Sequence, residues 1–431
     1  MRQTLFYIPE TVAEVPVFGV GIALALWVLG CAAFLVWTLV VRKRPVDWLG
    51  TLPIMAIAAG IIWKLLPGMI EEIPGDGAGL PIRGYGVMLL LAMVAAVFIA
   101  VHRARQVDYP PEAIITMTFF AFIFGIAGAR LFYVIQFWNE QFDRGSDVWA
   151  TLQSVANVTQ GGLVVYGGFI GGALGVLGFL LWNNLPVFRT GDIVAPSLMI
   201  GLAIGRIGCL LNGCCYGGVC DKPWMAIQFP AGSVPYMEQL HRGDLVGLTL
   251  QKTSDGNSFQ AGDVVPGGVA DLAGVQEGDR LAMANVGRLN EALVDPELAR
   301  QTTVLEFDTR DRGDVEVLAS DLPRTSLPLY PTQIFSTIDA ALLCAILWFA
   351  YPFRRREGQI FGLLLILYPI TRFVEESIRD DVGGYFGTSL TISQLVSLGL
   401  LVVAVLFWVG LYASSPPLSE EEKRTGAPVP A

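Results

Sequence analysis

The sequence predicts an all-α polytopic membrane protein of about nine transmembrane helices, interrupted once by a soluble α+β insert. Three observations carry that prediction. Of 431 residues, 53% are hydrophobic and only 15% charged, with a mean hydropathy of +0.56, whereas soluble domains carry about 25% charged residues. Apolar runs of 17 or more residues recur between polar breaks, each long enough to cross a hydrocarbon core about 30 Å thick. Hydropathy collapses between Asp221 and Asp321, where 17 acidic side chains stand against 8 basic ones and supply most of the net charge of -10. So acidic a surface repels nucleic acid, and no nucleic-acid partner is expected.

In chain order the expected spans are 17–41, 49–66, 84–101, 112–138, 160–182, 192–212, 331–352, 358–376 and 393–412. The N-terminus has no apolar stretch followed by a small-residue cleavage site, so the first span is expected to direct insertion itself. The first two spans, within 1–80, read as a pair added in front of a seven-helix core. That core is expected to occupy 81–220 and 329–413, with the insert at 221–328 and a Pro- and Glu-rich, disordered tail at 414–431. Basic residues cluster at Arg42-Lys43-Arg44, His102-Arg103-Ala104-Arg105, Arg189, Arg354-Arg355-Arg356 and Lys423-Arg424. Because cytoplasmic loops are enriched in Lys and Arg, these segments and the C-terminus are expected inside, and the N-terminus and the insert outside.

Within the sixth span, Gly205-Arg206-Ile207-Gly208 sets an arginine in an apolar helix. Such a residue costs roughly 2.5–3.5 kcal/mol at a span centre, so it turns inward to a carboxylate or an anion, or snorkels to water. Gly201, Gly205 and Gly208 strip one side of this helix of bulk, as Gly167, Gly168, Gly171, Gly172 and Gly175 do in the fifth span, which admits a close neighbour. Arg130 follows Gly125 and Gly128 near an interface. In the eighth span Tyr368, Arg372, Glu376 and Arg379 recur four and seven residues apart and share a helix face. An internal Arg372–Glu376 pair alone does not explain so many charges near a membrane. Several inward arginines fit an anion better, and guanidinium grips phosphate bidentately.

Inside the insert, Val264-Val265-Pro266-Gly267-Gly268-Val269-Ala270-Asp271-Leu272-Ala273-Gly274-Val275-Gln276-Glu277-Gly278-Asp279-Arg280-Leu281 reads as strand, short helix, Gly-Asp turn and strand. This resembles the centre of a bacterial PDZ domain, placed at about 243–321. Residues 303–307 and 315–318, around Asp311-Arg312-Gly313-Asp314, read as a closing hairpin. The resemblance implies a peptide ligand added at a sheet edge, although Gly247-Leu248-Thr249-Leu250 is only a loose counterpart of the usual carboxylate-binding loop. The alternative is a degenerate domain that merely packs on the membrane part.

From about Pro81 to Ser397 an ordered set of motifs resembles the prolipoprotein diacylglyceryl transferase family. They are Arg83-Gly84-Tyr85-Gly86, Gly128-Ala129-Arg130-Leu131-Phe132-Tyr133, the stretch from Gln160 to Gly168, the helix Asp192 to Asn212, Tyr330-Pro331-Thr332-Gln333, and Tyr368 to Arg379. The resemblance implies an inner-membrane enzyme that uses no metal or other cofactor. It would move a diacylglyceryl group from phosphatidylglycerol to the lipobox cysteine in the signal peptide of a prolipoprotein, releasing glycerol phosphate. Displacement at a glyceryl carbon leaves a phosphate monoester, whose growing charge fixed arginines stabilise. Arg206 and Arg372 are the expected phosphate holders, with Tyr166 as the third catalytic residue. Arg83, Tyr85, Arg130, Asn212, Gln333, Tyr368, Glu376 and Arg379 are the expected substrate-binding or orienting residues.

The chain departs from the family pattern where Tyr166 stands in place of the usual His, and where cysteines enter the signature as Cys209-Leu-Leu-Asn-Gly-Cys-Cys-Tyr-Gly-Gly-Val-Cys220. Inert thiols, a disulfide, and metal or redox chemistry are all open for Cys209, Cys214, Cys215 and Cys220, whose spacing is not the paired pattern of a standard zinc site. The sequence resists a membrane-protease reading: there is no His-Glu-x-x-His, and the whole chain has only two histidines, His102 and His241. The remaining rival is a catalytically altered relative that binds phospholipid or lipoprotein precursors as a receptor or assembly factor.

Overall fold

A computed structural model describes residues 3–41, 48–72, 77–142, 148–156, 162–253, 259–284, 289–292, 296–309, 313–379, 388–414 and 416–418. Two compact units divide the chain at Met88 and Leu89.

In the first unit, strands β1 (Thr4–Pro9), β2 (Thr11–Val12) and β3 (Val15–Pro16) precede helix α1 (Ile22–Val36), which runs on through a π-helical turn to Val41. Helix α2 (Trp48–Gly60) continues in irregular turns to Met69, and β4 (Glu71–Glu72) and β5 (Ala78–Arg83) follow. β5 lies between β1 and β4 and is antiparallel to both, pairing Ile8 with Leu80 and Glu71 with Gly79. No side chain of α1 is buried, as expected of a helix that faces lipid. The three-stranded sheet is not signalled by the sequence, because its strands are short, interrupted by proline and without clean alternation.

Helix α3 (Gly84–Gln106) passes from the first unit into the second. The second continues with α4 (Pro111–Gln136), α5 (Val148–Ala156), α6 (Val165–Trp182) and α7 (Val187–Asn212). After the insert come three further long helices at the C-terminal end. Among the described residues seven helices are long and apolar enough to cross a membrane, so the chain is a mostly helical, polytopic membrane protein. Two of the nine expected spans fall outside that set. The second is an apolar segment, Met55–Met69, shorter than a span, and the eighth, Gln359–Glu376, carries Arg372, Glu375 and Glu376.

Glycines set the closest packing. A Cβ on Gly128 of α4 would lie 2.8 Å from the Cα of Gly171 on α6, and one on Gly175 would lie 2.7 Å from Phe124 Cβ. The expected glycine groove is therefore filled by α4, backbone against backbone.

One expectation about the basic residues is corrected. α7 begins at Val187 rather than 192, so Arg189 is no loop residue: it is 5% exposed, donates to the Val107 carbonyl and lies 4.0 Å from Glu357. Arg103 and Arg354 are buried too, with Arg103 stacked 3.6 Å over the Trp348 ring. Hydropathy counts the guanidinium but not the apolar stem and ring face that shelter it. Arg42-Lys43-Arg44, Gln160-Gly161, Lys423-Arg424 and most of the expected disordered tail lie outside the described residues.

The insert comprises α8 (Val234–Arg242), β6 (Leu248–Lys252), β7 (Phe259–Val264), α9 (Val269–Ala273), β8 (Arg280–Ala284), α10 (Leu289–Ala292), α11 (Pro296–Ala299), β9 (Thr303–Asp308) and β10 (Val315–Leu318). Its five strands form an antiparallel meander ordered β10-β9-β8-β7-β6. The expected strand, short helix, Gly278-Asp279 turn and strand occur in that order, and β9 and β10 pair Phe307 with Val315. The Asp311-Arg312 part of that hairpin turn lies outside the described residues. The insert has its own core, including Tyr236, Leu240, Val246, Phe307 and Val317. Tyr236 donates to the Pro323 carbonyl at 2.8 Å, and burial pushes its phenol up to about 12. The chain leaves and returns side by side, where Pro230 pairs with Thr325. Helices α12 (Thr332–Ala350), α13 (Gln359–Glu376) and α14 (Ile392–Ser414) complete the fold.

Candidate functional site

The site is built at the end of α7, and a local rule ends that helix. Gly213 takes the left-handed conformation, φ +76°, and the Cys214 amide returns to the Cys209 carbonyl at 3.1 Å, the glycine cap that satisfies terminal carbonyls. This turn folds Cys214 and Cys215 back over Cys209, so that all three Sγ atoms lie within 4.8 Å of one another. Cys215 has φ +58°, a backbone that costs a residue with a Cβ roughly 1–2 kcal/mol. The start of α12 holds it there. Thr332 Oγ1 donates to the Cys215 carbonyl at 2.7 Å and Gln333 Nε2 to the Cys214 carbonyl at 2.8 Å, both from side chains at most 3% exposed.

Hydrogen bonds from the Cys209 and Cys214 thiols hold the Cys215 thiol well below the ordinary thiol range, and Arg379 and Arg206 add to this. Asn212, the last residue of α7, hydrogen-bonds Cys214. Cys220 stands apart, buried and donating to the Lys222 carbonyl at 3.5 Å. All six cysteines are free thiols.

The arginine face of α13 is an ion-pair network. Arg372 Nη2 lies 2.7 Å from Glu376 Oε2, and Arg379 Nη1 lies 3.5 Å from the same oxygen; the Glu376 side chain is fully buried. Thr391 Oγ1 donates to Glu376 Oε1 at 3.1 Å, and Arg372 Nη2 donates to Ser393 Oγ at 3.2 Å. Glu375 joins from the next position. It accepts from Ser336 Oγ at 2.6 Å and lies 4.0 Å from Arg372. Sequence reasoning named Glu376 but missed Glu375 and Ser336. The only signal for them was the doubled carboxylate and the position of Ser336, three residues after Gln333 on one helix.

Arg206 and Arg372 both lie within electrostatic reach of Tyr368 and Glu375. The Nε of Arg206 is buried with no hydrogen-bond partner among the described residues, as are those of Arg103 and Arg189. Beside it, a Cβ on Gly205 would meet nothing within 4 Å, which leaves room for a ligand against the backbone.

The other expected residues are distributed as follows. Arg130 spends its guanidinium on the carbonyls of Ser154, Val155 and Gly162, at 2.6, 2.9 and 3.1 Å. Tyr166, in the first turn of α6, is 38% exposed. In the first unit, Arg83 Nη2 donates to both carboxylate oxygens of Glu71, at 2.7 and 2.9 Å, and Tyr85 sits in the first turn of α3. The structure thus gathers Arg206, Arg372, Glu376, Arg379, Tyr368, Gln333 and Asn212 near the end of α7, and gives Arg130 and Arg83 partners of their own.

Fold and site together define a polytopic membrane protein with a polar, arginine-rich cluster beside a turn of clustered thiols. The chain belongs to the prolipoprotein diacylglyceryl transferase family, whose model matches residues 77–410. It is similar to a phosphatidylglycerol–prolipoprotein diacylglyceryl transferase of Rhodopirellula baltica, with 35% identity covering 96% of this chain and 91% of the relative. A relative of the same name, numbered 2, in Clostridium perfringens is 27% identical over 78% of this chain and 93% of its own length. One in Clostridium tetani is 25% identical over 76% and 92%.

Proposed function

We propose that this protein transfers a diacylglyceryl group from phosphatidylglycerol to the lipobox cysteine thiol of prolipoproteins. The observation that carries this reading is Arg206, a guanidinium at the end of an apolar helix with a buried, unpartnered Nε, in a chain that belongs to a transferase family. An anion completes such a group, and a phospholipid phosphate is the anion that a membrane supplies. As the thiolate attacks the glyceryl carbon, the C–O bond to phosphate breaks and negative charge grows on the leaving phosphate. Arg206 stabilises that charge, aided by Arg372, which Glu376 and Ser393 orient. The receptor reading has less support, since the relatives that match this chain over most of its length carry the transferase name.

The same reading makes the chain a nine-span protein of the bacterial inner membrane, with N-terminus and insert outside and C-terminus inside, and with a core at 81–220 and 329–413. The insert, read as PDZ-like from its order of elements, would meet the precursor peptide. Mass spectrometry of a lipobox peptide incubated with the purified protein and phosphatidylglycerol tests the activity. The expected product is the peptide carrying one thioether-linked diacylglyceryl group, and an unmodified peptide counts against the reading.

A further inference from the structure

Arg206 is not the only arginine with a buried, unpartnered Nε, and the others lie at the opposite end of α7. Arg103 in the last turn of α3, Arg189 in the first turn of α7 and Arg354 in the link between α12 and α13 are 6%, 5% and 3% exposed. They surround Tyr351, the residue that follows α12. The centre of its ring lies 4.5 Å from the guanidinium carbon of Arg103 and 3.9 Å from that of Arg354. Arg189 and Asp192 lie within electrostatic reach of the same side chain. Arg189 and Arg206 stand near opposite ends of the 26-residue α7, which at 1.5 Å per residue puts them about 25 Å apart. The cluster is therefore no part of the candidate transfer site.

This end of the molecule holds more buried positive charge than it neutralises. Its fully buried carboxylate, Asp192, gives both oxygens to the amides of Gly358, Ile360 and Phe361. Among the described residues the only carboxylate within 4.0 Å of the three guanidinia is the partly exposed Glu357, 4.0 Å from Arg189. Each guanidinium instead donates to a neutral carbonyl: Arg103 to Trp348 at 2.9 Å, Arg189 to Val107, and Arg354 to Tyr351 at 3.0 Å. Arg103 Nε, Arg189 Nε and Tyr351 Oη are buried with no hydrogen-bond partner among the described residues. Buried charges and donors left in this state are costly. Guanidinia are donors only, so what completes them is an anion with several acceptor oxygens. A row of rings leads to them from the lipid-facing surface. Phe98, 70% exposed, stacks on His102, His102 stacks on Trp348, and Arg103 lies 3.6 Å over Trp348. The exposed Gln106 accepts from Arg103 Nη1 at 3.2 Å, and turning it outward uncovers that guanidinium. Phe349, 71% exposed, adds apolar surface two residues before Tyr351. An acyl chain is buried by such a surface, whereas a free phosphate ion gains nothing from it.

We propose that Arg103, Arg189 and Arg354, with the Tyr351 hydroxyl, bind the phosphate of an anionic phospholipid at the end of the helices opposite the thiol turn, its acyl chains lying along Phe98 and Phe349. The phosphate supplies the negative charge that the cluster lacks. A zwitterionic headgroup would bring a further cation into a cluster that is already positive. Because the three arginines come from α3, α7 and the α12–α13 link, the bound headgroup ties these helices together. The lipid is a structural ligand there, and no bond is made or broken. The inference goes beyond the transferase reading and does not depend on it.

The test uses the full-length protein in detergent, carrying Arg206→Ala to suppress lipid binding at the candidate transfer site, and follows the thermal midpoint as dioctanoyl phosphatidylglycerol is added. The expected result is a saturable rise, as for any ligand that binds the folded state alone. On this background Arg103→Met and Arg354→Met should each raise the half-saturating lipid concentration by about tenfold or more, the effect of losing a charge-assisted hydrogen bond. Tyr351→Phe removes one hydroxyl and keeps the ring on which the guanidinia stack. It should raise half-saturation by about threefold to tenfold, and its lipid-free midpoint, close to that of the parent, reports intact folding. No rise in the parent protein, or a half-saturation unchanged in all three variants, overturns the site. An equal rise with inorganic phosphate alone overturns lipid as the source of the phosphate. An equal rise with dioctanoyl phosphatidylcholine overturns the anionic headgroup.

Discussion

Arg206 and Arg372 looked equivalent in the sequence, and the structure separates them. Arg372 is committed to a buried carboxylate, with Glu376 fully buried behind it, so Arg372→Ala would strand a charge and cost about 3–5 kcal/mol of stability. Its loss of transfer would be hard to tell from loss of fold. Arg206 has no such obligation through its Nε and is the cleaner probe. Arg206→Ala should cut transfer by about a hundredfold to a thousandfold, the usual effect of removing one charge-stabilising donor, with the thermal midpoint little changed. Arg206→Lys should also be poor, because a point charge lacks the bidentate fork. Near wild-type turnover in both variants would remove Arg206 from the chemistry. At Tyr166 the loss of one charge-assisted hydrogen bond in Tyr166→Phe should slow transfer by about 10- to 100-fold, and Tyr166→His should be tolerated. A Phe variant with no detectable transfer, beside a fully active His variant with a profile moved to lower pH, would instead make this position the general base. Arg206 was legible in the sequence because an arginine in an apolar helix is costly. That its neighbour Arg372 is paired was not, because an ion pair with Glu376 and an anion site give the same spacing.

At the scale of elements, two contacts organise the membrane helices. The first is α4 against α6, where glycine faces glycine. Gly171→Leu should prevent that approach, since even a Cβ there would lie 2.9 Å from the Gly128 Cα, and detergent-solubilised protein should aggregate or lose its cooperative melting transition. The second joins α7 to the start of α13. The Asp192 carboxylate accepts from the amides of Gly358 at 2.7 Å, Ile360 at 2.9 Å and Phe361 at 3.0 Å, capping a helix that comes from more than 160 residues later in the chain. Asp192→Ala leaves those amides without their acceptor and should lower stability by about 2–5 kcal/mol, read as a fall in the midpoint of thermal unfolding. The glycine pattern announced a close neighbour but not which helix supplies it. The cap was unreadable, since local capping rules look only a few residues upstream.

For the molecule as a whole, the insert has a hydrophobic core of its own. Its core includes Tyr236 and Leu240 from α8, so a cut at the expected boundary near 243 would divide it. Pro230 and Thr325 lie side by side, and the Ala231 amide donates to the Arg324 carbonyl at 3.0 Å. Replacing residues 232–323 with a short Gly/Ser linker therefore asks the remaining chain to close only a small gap. The shortened protein should keep turnover on a short lipobox peptide and lose efficiency on a full-length precursor. Equal loss on both substrates would mean that the insert helps to build the site.

By itself the sequence determined that the chain is a polytopic membrane protein and where its acidic insert interrupts the helices. Those properties are local, fixed by the transfer free energy of consecutive side chains and by helical spacing. Only the tertiary structure decided how the buried charges are sheltered, because Arg189 and Arg103 meet a carbonyl and a ring distant in the chain. It alone also gathered Cys209, Cys214 and Cys215. Their spacing matches no metal pattern, and their convergence depends on a left-handed turn at Gly213 and Cys215 that two buried side chains of a later helix hold in place.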